Sequence, residues 1–188
     1  MRAYNERLVL SQIRTEAQSR AEIARRTGLS PQTITLITRS LSTEGLIETG
    51  EPVRGKVGQP SVPLKLNPRG AFFLGLKVGR RSAEMILINF NGAILQHRLE
   101  YYAYPTPSCI MAFLKREIPD ITRTLGDDDI HRLHGLGIAM PFQLWSWSET
   151  IDAPAAALEQ WREFDFTRAL AEITELPIFV ENDATSAC

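Results

Sequence analysis

The sequence is poor in the features that mark secreted and membrane proteins. It has two cysteines, Cys109 and Cys188, whose spacing fits neither a disulfide framework nor a zinc knuckle. No run reaches the roughly 18 apolar residues of a membrane span. Arg2, Glu6 and Arg7 precede any apolar run, unlike the start of a secretory signal. From these absences we expect a soluble, cytoplasmic protein without a membrane partner.

Net charge is small but unevenly distributed. Residues 1–70 hold 11 of the 21 Lys and Arg residues and six of the 22 Asp and Glu residues, a net charge of +5. Residues 71–188 hold the other ten and 16, a net charge of −6. Because cationic surface attracts polyanions, this asymmetry indicates that the first part faces a polyanion. Chance clustering on a solvated face is the alternative.

Two short helices joined by a tight turn are predicted in the basic region. Ser19 and Glu22 have the spacing of a capping box, and the helix that they begin is expected to end near Gly28. Ser30 and Pro31 suit the cap and first position of a second helix. The residues that should face inward from this second helix are Ile34, Ile37 and Leu41. The spacing is typical of a helix-turn-helix, with an ordinary helical hairpin as the alternative.

A strand, a long loop and a second strand are predicted next, in "LIETG", "EPVRGKVGQP" and "SVPLKLN". A hairpin directly after a recognition helix is the wing of a winged helix. Its loop combines Arg54 and Lys56 with Gly55 and Gly58, so cationic side chains occur where the backbone can approach closely. Such a loop can reach phosphates or the minor groove.

We therefore expect residues 1–70 to bind double-stranded DNA. Gln pairs well with adenine, and Arg with guanine or phosphate, while Thr can contact either. The candidate contacts are Ser30, Gln32, Thr33, Thr35 and Arg39 in the second helix and Arg54, Lys56 and Gln59 in the loop.

Residues 71–188 have a different pattern. Three strands are predicted in "AFFLGLKVG", "RSAEMILINF" and "GAILQHRLEY", with a turn at Asn91 and Gly92. An amphipathic helix in "SCIMAFLKREIPDITRTL", an acidic loop at 127–129, a strand in "LHGLGIAM", a helix in "EFDFTRALAEIT" and a strand in "PIFVE" follow. This order predicts an α/β half-domain with a mixed sheet, and an α+β multi-domain chain overall.

Some residues of this second region fit two interpretations. His131 and His134 lie near the acidic run, but no further ligand has suitable spacing, which favours a solvated loop over a metal site. Trp145, Trp147 and Trp161 could stack on a sugar ring, although packing in the core or between subunits is the favoured interpretation.

Taken in succession, these motifs resemble those of one known family. After the "GKVGQP" loop come "FFLGLKVGRRSAEMILINFNGAIL", "GLGIAMP", "APAAALEQW" and "PIFVENDATSAC". The chain resembles transcriptional regulators of the ROK family (repressors, open reading frames and sugar kinases) over essentially its whole length. The resemblance implies a winged helix-turn-helix in residues 1–70. It implies that residues 71–188 are the first lobe of an actin-like, ribonuclease-H-like ATPase domain, incomplete at the C-terminus.

The resemblance also implies that kinase activity is absent. Kinases of the family have an Asp-x-Gly-Gly-Thr phosphate loop after the first strand, whose carboxylate serves the metal–nucleotide. Here Lys77 matches the Asp, and Arg80 and Arg81 replace Gly and Thr. A lysine cannot organise Mg²⁺, and two arginines fill the space of the phosphates. ATP-dependent phosphoryl transfer is therefore not expected.

The "ENDA" segment does match the family. By the resemblance, Asn182 and Asp183 are candidate contacts for sugar hydroxyls, since an amide and a carboxylate suit vicinal hydroxyls. Helix capping by the same pair is the alternative, and Ala155 replaces an asparagine frequent in kinases. The family's remaining sugar contacts and cysteine-rich zinc site would lie beyond residue 188, so no cofactor is expected in this chain.

The sequence thus predicts a sugar-responsive DNA-binding regulator, a repressor of carbohydrate-utilisation genes. It would act as a homodimer or higher oligomer on a pseudo-palindromic operator, with a sugar or sugar derivative as effector. The alternative is a ROK-type sugar kinase with an appended DNA-binding domain. A third possibility is constitutive DNA binding, if the ligand site is incomplete.

Overall fold

The computed structural model describes residues 2–52 and 62–186, and the chain divides into two compact units, Met1–Ala71 and Phe72–Cys188. Three of the candidate DNA contacts, Arg54, Lys56 and Gln59, lie outside the described residues. Their assignment stays a prediction.

The first unit combines helices with a small antiparallel sheet. Its described elements are α1 (Arg2–Thr15), α2 (Arg20–Thr27), α3 (Pro31–Thr43), β1 (Ile47–Thr49) and β2 (Leu64–Leu66). The two strands pair in the register Ile47 opposite Leu66. The predicted helices and both predicted strands are confirmed, although α3 ends two residues before Gly45.

Capping fixes the turn between α2 and α3. The Ser19 hydroxyl accepts a hydrogen bond from the Glu22 amide at 3.2 Å, and the Ser19 amide donates to the Glu22 carboxylate at 2.8 Å. Gly28 follows α2 with φ of 71°, a left-handed conformation that favours glycine. The Ser30 hydroxyl then accepts from the Thr33 amide at 3.2 Å and caps α3. The predicted caps are confirmed.

A continuous apolar core holds the first unit together. Its buried residues come from every element: Val9, Ile13, Ile23, Ile34, Ile37, Leu41, Ile47, Leu64 and Leu66. Ile34, Ile37 and Leu41 recur at helical spacing, so they lie on one side of α3 and face inward as predicted. Arg20 of α2 donates from Nε to the buried Thr38 hydroxyl at 3.0 Å, which adds a polar link between α2 and α3.

The small sheet is also tied to the segment before α2. The Gln18 amide donates to the Leu64 carbonyl at 3.0 Å, and the Leu64 amide donates to the Gln18 carbonyl at 2.8 Å. The Gln18 side chain is 2% exposed, and its Nε2 donates to the Gln12 carbonyl at 2.8 Å. Gln18 thereby joins the end of α1 and the start of α2 to β2.

A mixed five-stranded sheet forms the centre of the second unit. Its strand order is β5-β4-β3-β6-β7, with β3, β4 and β5 antiparallel and β3, β6 and β7 parallel. The strands are β3 (Phe72–Val78), β4 (Ser82–Asn89), β5 (Ile94–Tyr101), β6 (Leu133–Met140) and β7 (Ile178–Asn182). The described α-helices are α4 (Pro107–Thr122), α5 (Asp127–Ile130), α6 (Ser148–Ile151), α7 (Ala155–Glu159), α8 (Phe166–Leu170) and α9 (Asp183–Ser186).

The two faces of this sheet differ because side chains alternate along each strand. In β3, Phe72, Leu74, Leu76 and Val78 are buried and Lys77 is exposed. The buried side chains of the strands form one core with those of α4, among them Ile110, Phe113, Leu114, Ile118 and Ile121. The core thus lies on the α4 face, and Lys77 points to the opposite face.

The structure corrects two elements of the predicted second region. The acidic run 127–129 was expected to be a loop but begins α5, where carboxylates are favourable near a helix N-terminus. The helix expected in "EFDFTRALAEIT" is shorter, because the Asp165 carboxylate accepts from the Thr167 amide at 2.8 Å and starts α8 only there. The β-branched Ile173 and Thr174 lie after its end. The predicted strands are confirmed.

Within residues 2–52 and 62–186, none of the helices combines the length and the apolar character required to cross a membrane.

Candidate nucleic-acid interface and ligand site

The outward side of α3 is polar except for one residue. Gln32, Leu36, Arg39 and Thr43 are exposed and recur at intervals of three, four or seven residues, opposite the buried side of the helix. Leu36 is 70% exposed at the centre of this side. The turn before α3 and the core behind it therefore present these four side chains together.

The candidate DNA contacts on α3 differ in how their polar atoms are used. The Thr33 and Ser30 hydroxyls bond each other at 2.9 Å, and the Thr35 hydroxyl donates to the Pro31 carbonyl at 2.8 Å. These bonds hold the first turn of α3. By contrast, the structure shows no hydrogen bond or ion pair from the Gln32 amide or the Arg39 guanidinium to any described residue. Gln32 and Arg39 are therefore the polar side chains most available to a ligand.

A groove of about 590 Å³ runs between α1 and α3. Its described lining is Arg2 and Asn5 from α1 and Thr33, Leu36, Ile37, Arg39, Ser40 and Thr43 from α3. Arg2 donates to the Ser40 hydroxyl at 2.9 Å and pairs with Glu6 at 2.8 Å. Because Glu6 neutralises Arg2, Arg39 carries the uncompensated positive charge of this groove.

Sequence reasoning missed Leu36 and the α1 residues of this groove. Leu36 was not predicted, because an apolar residue of an amphipathic helix is expected on the inward side. A helical projection would have found it, since Leu36 lies about 160° away from Ile34 at about 100° per residue. No pattern in the sequence indicated that Arg2 and Asn5 would lie beside α3, because this proximity depends on how α1 packs.

In the second unit, the turn after β3 and the Asn182-Asp183 pair lie at the same edge of the sheet. Strands β3, β6 and β7 are parallel, so their carboxyl ends meet at one edge. Lys77 is opposite Ala139, which is opposite Glu181. The turn that follows β3 and the pair that follows Glu181 are therefore brought together by strand register.

The two arginines of the turn after β3 make contacts within the second unit. Arg81 donates from Nη1 to the Ala103 carbonyl and from Nη2 to the Ile151 carbonyl, the latter at 2.8 Å. The Arg80 guanidinium lies 5.2 Å from the centre of the Trp147 ring, a cation–π contact. Both side chains thus have partners within the unit.

The Tyr102 hydroxyl contacts the backbone on both sides of the same turn. Its hydroxyl lies 2.9 Å from the Gly79 carbonyl oxygen and 2.7 Å from that of Ser82, so it donates across the turn. Burial is the main reason that the pKa of Tyr102 is raised well above its usual value. The hydroxyl therefore stays protonated and keeps its role as a donor.

Asn182 caps the last described helix. Its Oδ1 accepts from the amides of Ala184 at 3.0 Å and Thr185 at 3.4 Å. The Ser186 hydroxyl donates to the backbone carbonyl of Asn182 at 3.0 Å. The Asp183 Oδ1 also accepts from the Ala184 amide, at 3.0 Å. The capping alternative is therefore present in the structure. It uses one oxygen of each side chain and leaves the Asn182 amide group and the second Asp183 oxygen for other contacts.

Lys77 lies on the other face of the sheet, in an open groove of about 650 Å³. The ionisable side chains in the described lining of this groove are Lys77, Glu84, His97 and Glu181. Asn182 and Asp183 are not among its lining residues, although Glu181 before them and Ser186 after them are.

The histidines and the tryptophans of the second unit have different surroundings. Among the described residues, no cluster of three or more His, Cys, Asp or Glu side chains could hold a metal ion. Trp161 is 5% exposed and donates to the Pro105 carbonyl at 2.9 Å, so its predicted place in the core is confirmed. Trp145 and Trp147 are partly buried and pack against that core.

Sequence relatives of the chain include named repressors. It is 26% identical over 195 residues to the xylose repressor of Bacillus subtilis strain 168, across 97% of this chain and 47% of that protein. It is 25% identical to the xylose repressor of Bacillus spizizenii, with the same coverage. The chain spans about half the length of the curated relatives that it matches. No family model matches it.

The fold comparison agrees with the sequence comparison. The structure matches that of a ROK family transcriptional regulator, described as a homologue of the E. coli MLC protein, with a TM-score of 0.62 and 26% identity. The match covers 95% of this chain and 45% of the regulator. In sequence and in fold, the chain is thus similar to ROK family transcriptional regulators over nearly its whole length.

Proposed function

We propose that this chain is a sequence-specific DNA-binding transcriptional regulator, with residues 1–70 acting as a winged helix-turn-helix. The observation that carries the proposal is the outward side of α3. After a capped, left-handed turn, it presents Gln32 and Arg39 with no described internal partner. A recognition helix reads base edges with such side chains in the major groove. The β1–β2 pair then supplies the base of the wing.

The charge distribution and the relatives support this proposal. The first 70 residues carry the excess of Lys and Arg over Asp and Glu, as a phosphate-binding surface requires. The named relatives are repressors, and the matching solved structure is a transcriptional regulator. We infer that the chain acts as a repressor of carbohydrate-utilisation genes, and as a homodimer on a pseudo-palindromic operator.

A sugar or sugar derivative is the proposed effector. Asn182 and Asp183 would contact its hydroxyls with the polar atoms that capping leaves unused. The capping bonds would hold both side chains in position, which lowers the entropy cost of binding. D-xylose is the first candidate, because two relatives are named xylose repressors.

Phosphoryl transfer is not part of the proposal. Lys77 replaces the carboxylate that a metal–nucleotide needs. Arg81 is held by two backbone carbonyls in the turn where phosphates would approach. These contacts support a binding protein rather than a kinase.

DNA binding is tested by selecting duplexes from a randomised library with the 188-residue chain and titrating them by fluorescence anisotropy at several salt concentrations. We expect affinity to fall steeply with salt. Arg39→Ala and Gln32→Ala should each weaken binding about fivefold to 150-fold, by loss of about 1–3 kcal/mol of contact energy. Arg123→Ala, an exposed arginine of the second unit, is the matched control. Enrichment of no duplex would show that the proposal is wrong.

The wing prediction is tested in the same titration. Arg54→Ala and Lys56→Ala should each weaken binding to all duplexes similarly and reduce the salt slope by about one. Unchanged affinity and slope in both variants would remove this loop from the interface.

The effector is tested by calorimetric titration with D-xylose and a panel of other sugars, and by adding each sugar to the DNA complex. A sugar that binds should change DNA affinity. Asp183→Asn should weaken sugar binding without loss of folding. Equal sugar binding by Asp183→Asn and the unchanged protein would argue against the pair as a sugar contact.

A further inference from the structure

We propose that Leu36 reads the 5-methyl group of a thymine and thereby sets part of the operator sequence. This inference rests on the proposed DNA-binding function. Leu36 is 70% exposed, and it lies at the centre of the outward side of α3 between Gln32 and Arg39. No other large apolar side chain of α3 is comparably exposed.

The position of Leu36 along α3 suits contact with a base. Side chains in the N-terminal part of a recognition helix reach base edges, while later ones approach the backbone. Leu36 is the sixth residue of α3 and is one helical turn from Gln32 and about one turn from Arg39. A base contacted by Leu36 would therefore lie between the bases or phosphates that Gln32 and Arg39 contact.

The surroundings of Leu36 fit nucleic acid better than an apolar protein partner. The groove that it lines also contains Arg39, Asn5, Thr43 and Ser40 and includes no acidic residue in its described lining. An apolar partner would leave the Arg39 guanidinium and the Asn5 amide desolvated and unpaired, which is costly. The major groove offers phosphates and base edges to them, together with one apolar group, the thymine methyl.

The chemistry of the contact predicts a specific base preference. Cytosine and the purines place polar atoms or hydrogen in the major groove where thymine has its methyl group. Burying the Leu36 side chain against that methyl removes apolar surface from water on both partners. The interaction of one methyl group corresponds to a change in affinity of about fourfold.

The experiment compares parallel duplex selections with the unchanged 188-residue chain and with Leu36→Ala. Leu36 is exposed and alanine favours helix, so this variant should fold normally. We expect the unchanged chain to select thymine at one position of each half-site, and Leu36→Ala to lose the preference there alone. Replacing that thymine by deoxyuracil removes only the methyl group. It should weaken binding by the unchanged chain about fourfold and leave binding by Leu36→Ala unaffected.

Leu99→Ala is the matched control, because it makes the same change at an exposed leucine of the second unit. It should retain the sensitivity to deoxyuracil. If the unchanged chain binds selected duplexes but Leu36→Ala shows the same preferences and the same sensitivity to deoxyuracil, this inference is wrong and the DNA-binding function stands. If the unchanged chain selects no duplex, both are overturned.

Discussion

Arginines in the two units of this protein are used in opposite ways. On α3 of the first unit, the Arg39 guanidinium is exposed and has no described partner. In the turn after β3 of the second unit, Arg81 donates to the carbonyls of Ala103 and Ile151, and Arg80 lies over Trp147. The difference teaches that a cationic residue indicates a ligand only when the fold leaves its guanidinium free. In the second unit, the guanidinium groups of Arg80 and Arg81 already have partners within the unit.

The largest expected effect is on stability, from Arg81→Ala. The substitution removes two charged hydrogen bonds and should lower the free energy of unfolding of the second unit by about 2 kcal/mol. Urea denaturation followed by tryptophan fluorescence measures it, because all three tryptophans, at 145, 147 and 161, belong to this unit. If Arg81→Ala lowered the free energy of unfolding no more than Arg80→Ala, the hydrogen bonds of Arg81 would contribute little to stability. The contrast between the bonded Arg81 and the exposed Arg39 would then not hold.

A smaller effect is expected from Ser30→Ala in the first unit. Ser30 was predicted to contact DNA, but its hydroxyl accepts from the Thr33 amide and caps α3. Loss of the cap should cost about 1 kcal/mol, whereas Ser30→Asn should keep it. Hydrogen exchange of α3 peptides, measured by mass spectrometry, would report faster exchange in Ser30→Ala only. If Ser30→Ala left hydrogen exchange unchanged but weakened DNA binding, the Ser30 hydroxyl would be a DNA contact rather than a cap of α3.

Arg80→Ala should have a still smaller effect. An exposed cation–π contact contributes about 0.5–1 kcal/mol, and the guanidinium lies 5.2 Å from the Trp147 ring. The change should alter tryptophan emission and lower the urea midpoint slightly, while Arg80→Lys should retain part of the contact. Identical emission and midpoint in Arg80→Ala would show that the contact has no energetic role.

The smallest effect concerns pH and the cap of α2. Hydrogen bonds from the Ser19 amide and hydroxyl are the main reason that the pKa of Glu22 is lowered. A lowered pKa in the folded state stabilises the protein above the unfolded value, about 4.3, and this contribution is lost as pH falls through the folded value. Thermal unfolding at pH 7, 5, 4 and 3 should show Glu22→Gln slightly less stable at neutral pH, with the difference vanishing in acid. A difference that grows in acid would contradict this assignment.

Local signals in the sequence were sufficient for much of the fold. Ser19, Glu22, Gly28 and Ser30 predicted both helix boundaries correctly because caps and left-handed turns depend on neighbouring residues. The strands were predicted from short apolar segments and a turn at Asn91 and Gly92, which are also local signals. The length of α8 was overestimated, since the periodic apolar pattern continued past the residue where the helix ends.

The candidate sites could be predicted only in part. Gln32 and Arg39 were correctly placed outward, but the sequence did not show that the Thr35 hydroxyl is bonded to its own helix. The partners of Arg81 are 22 and 70 residues away along the chain. Contacts between such distant residues arise from packing, and no short motif encodes them.

The double hydrogen bond between Gln18 and Leu64 has a mechanical consequence. The two residues exchange both backbone hydrogen bonds across one bridge, so separating them breaks both bonds. A displacement of β2 would therefore also move the segment that leads into α2, because both are held at this bridge.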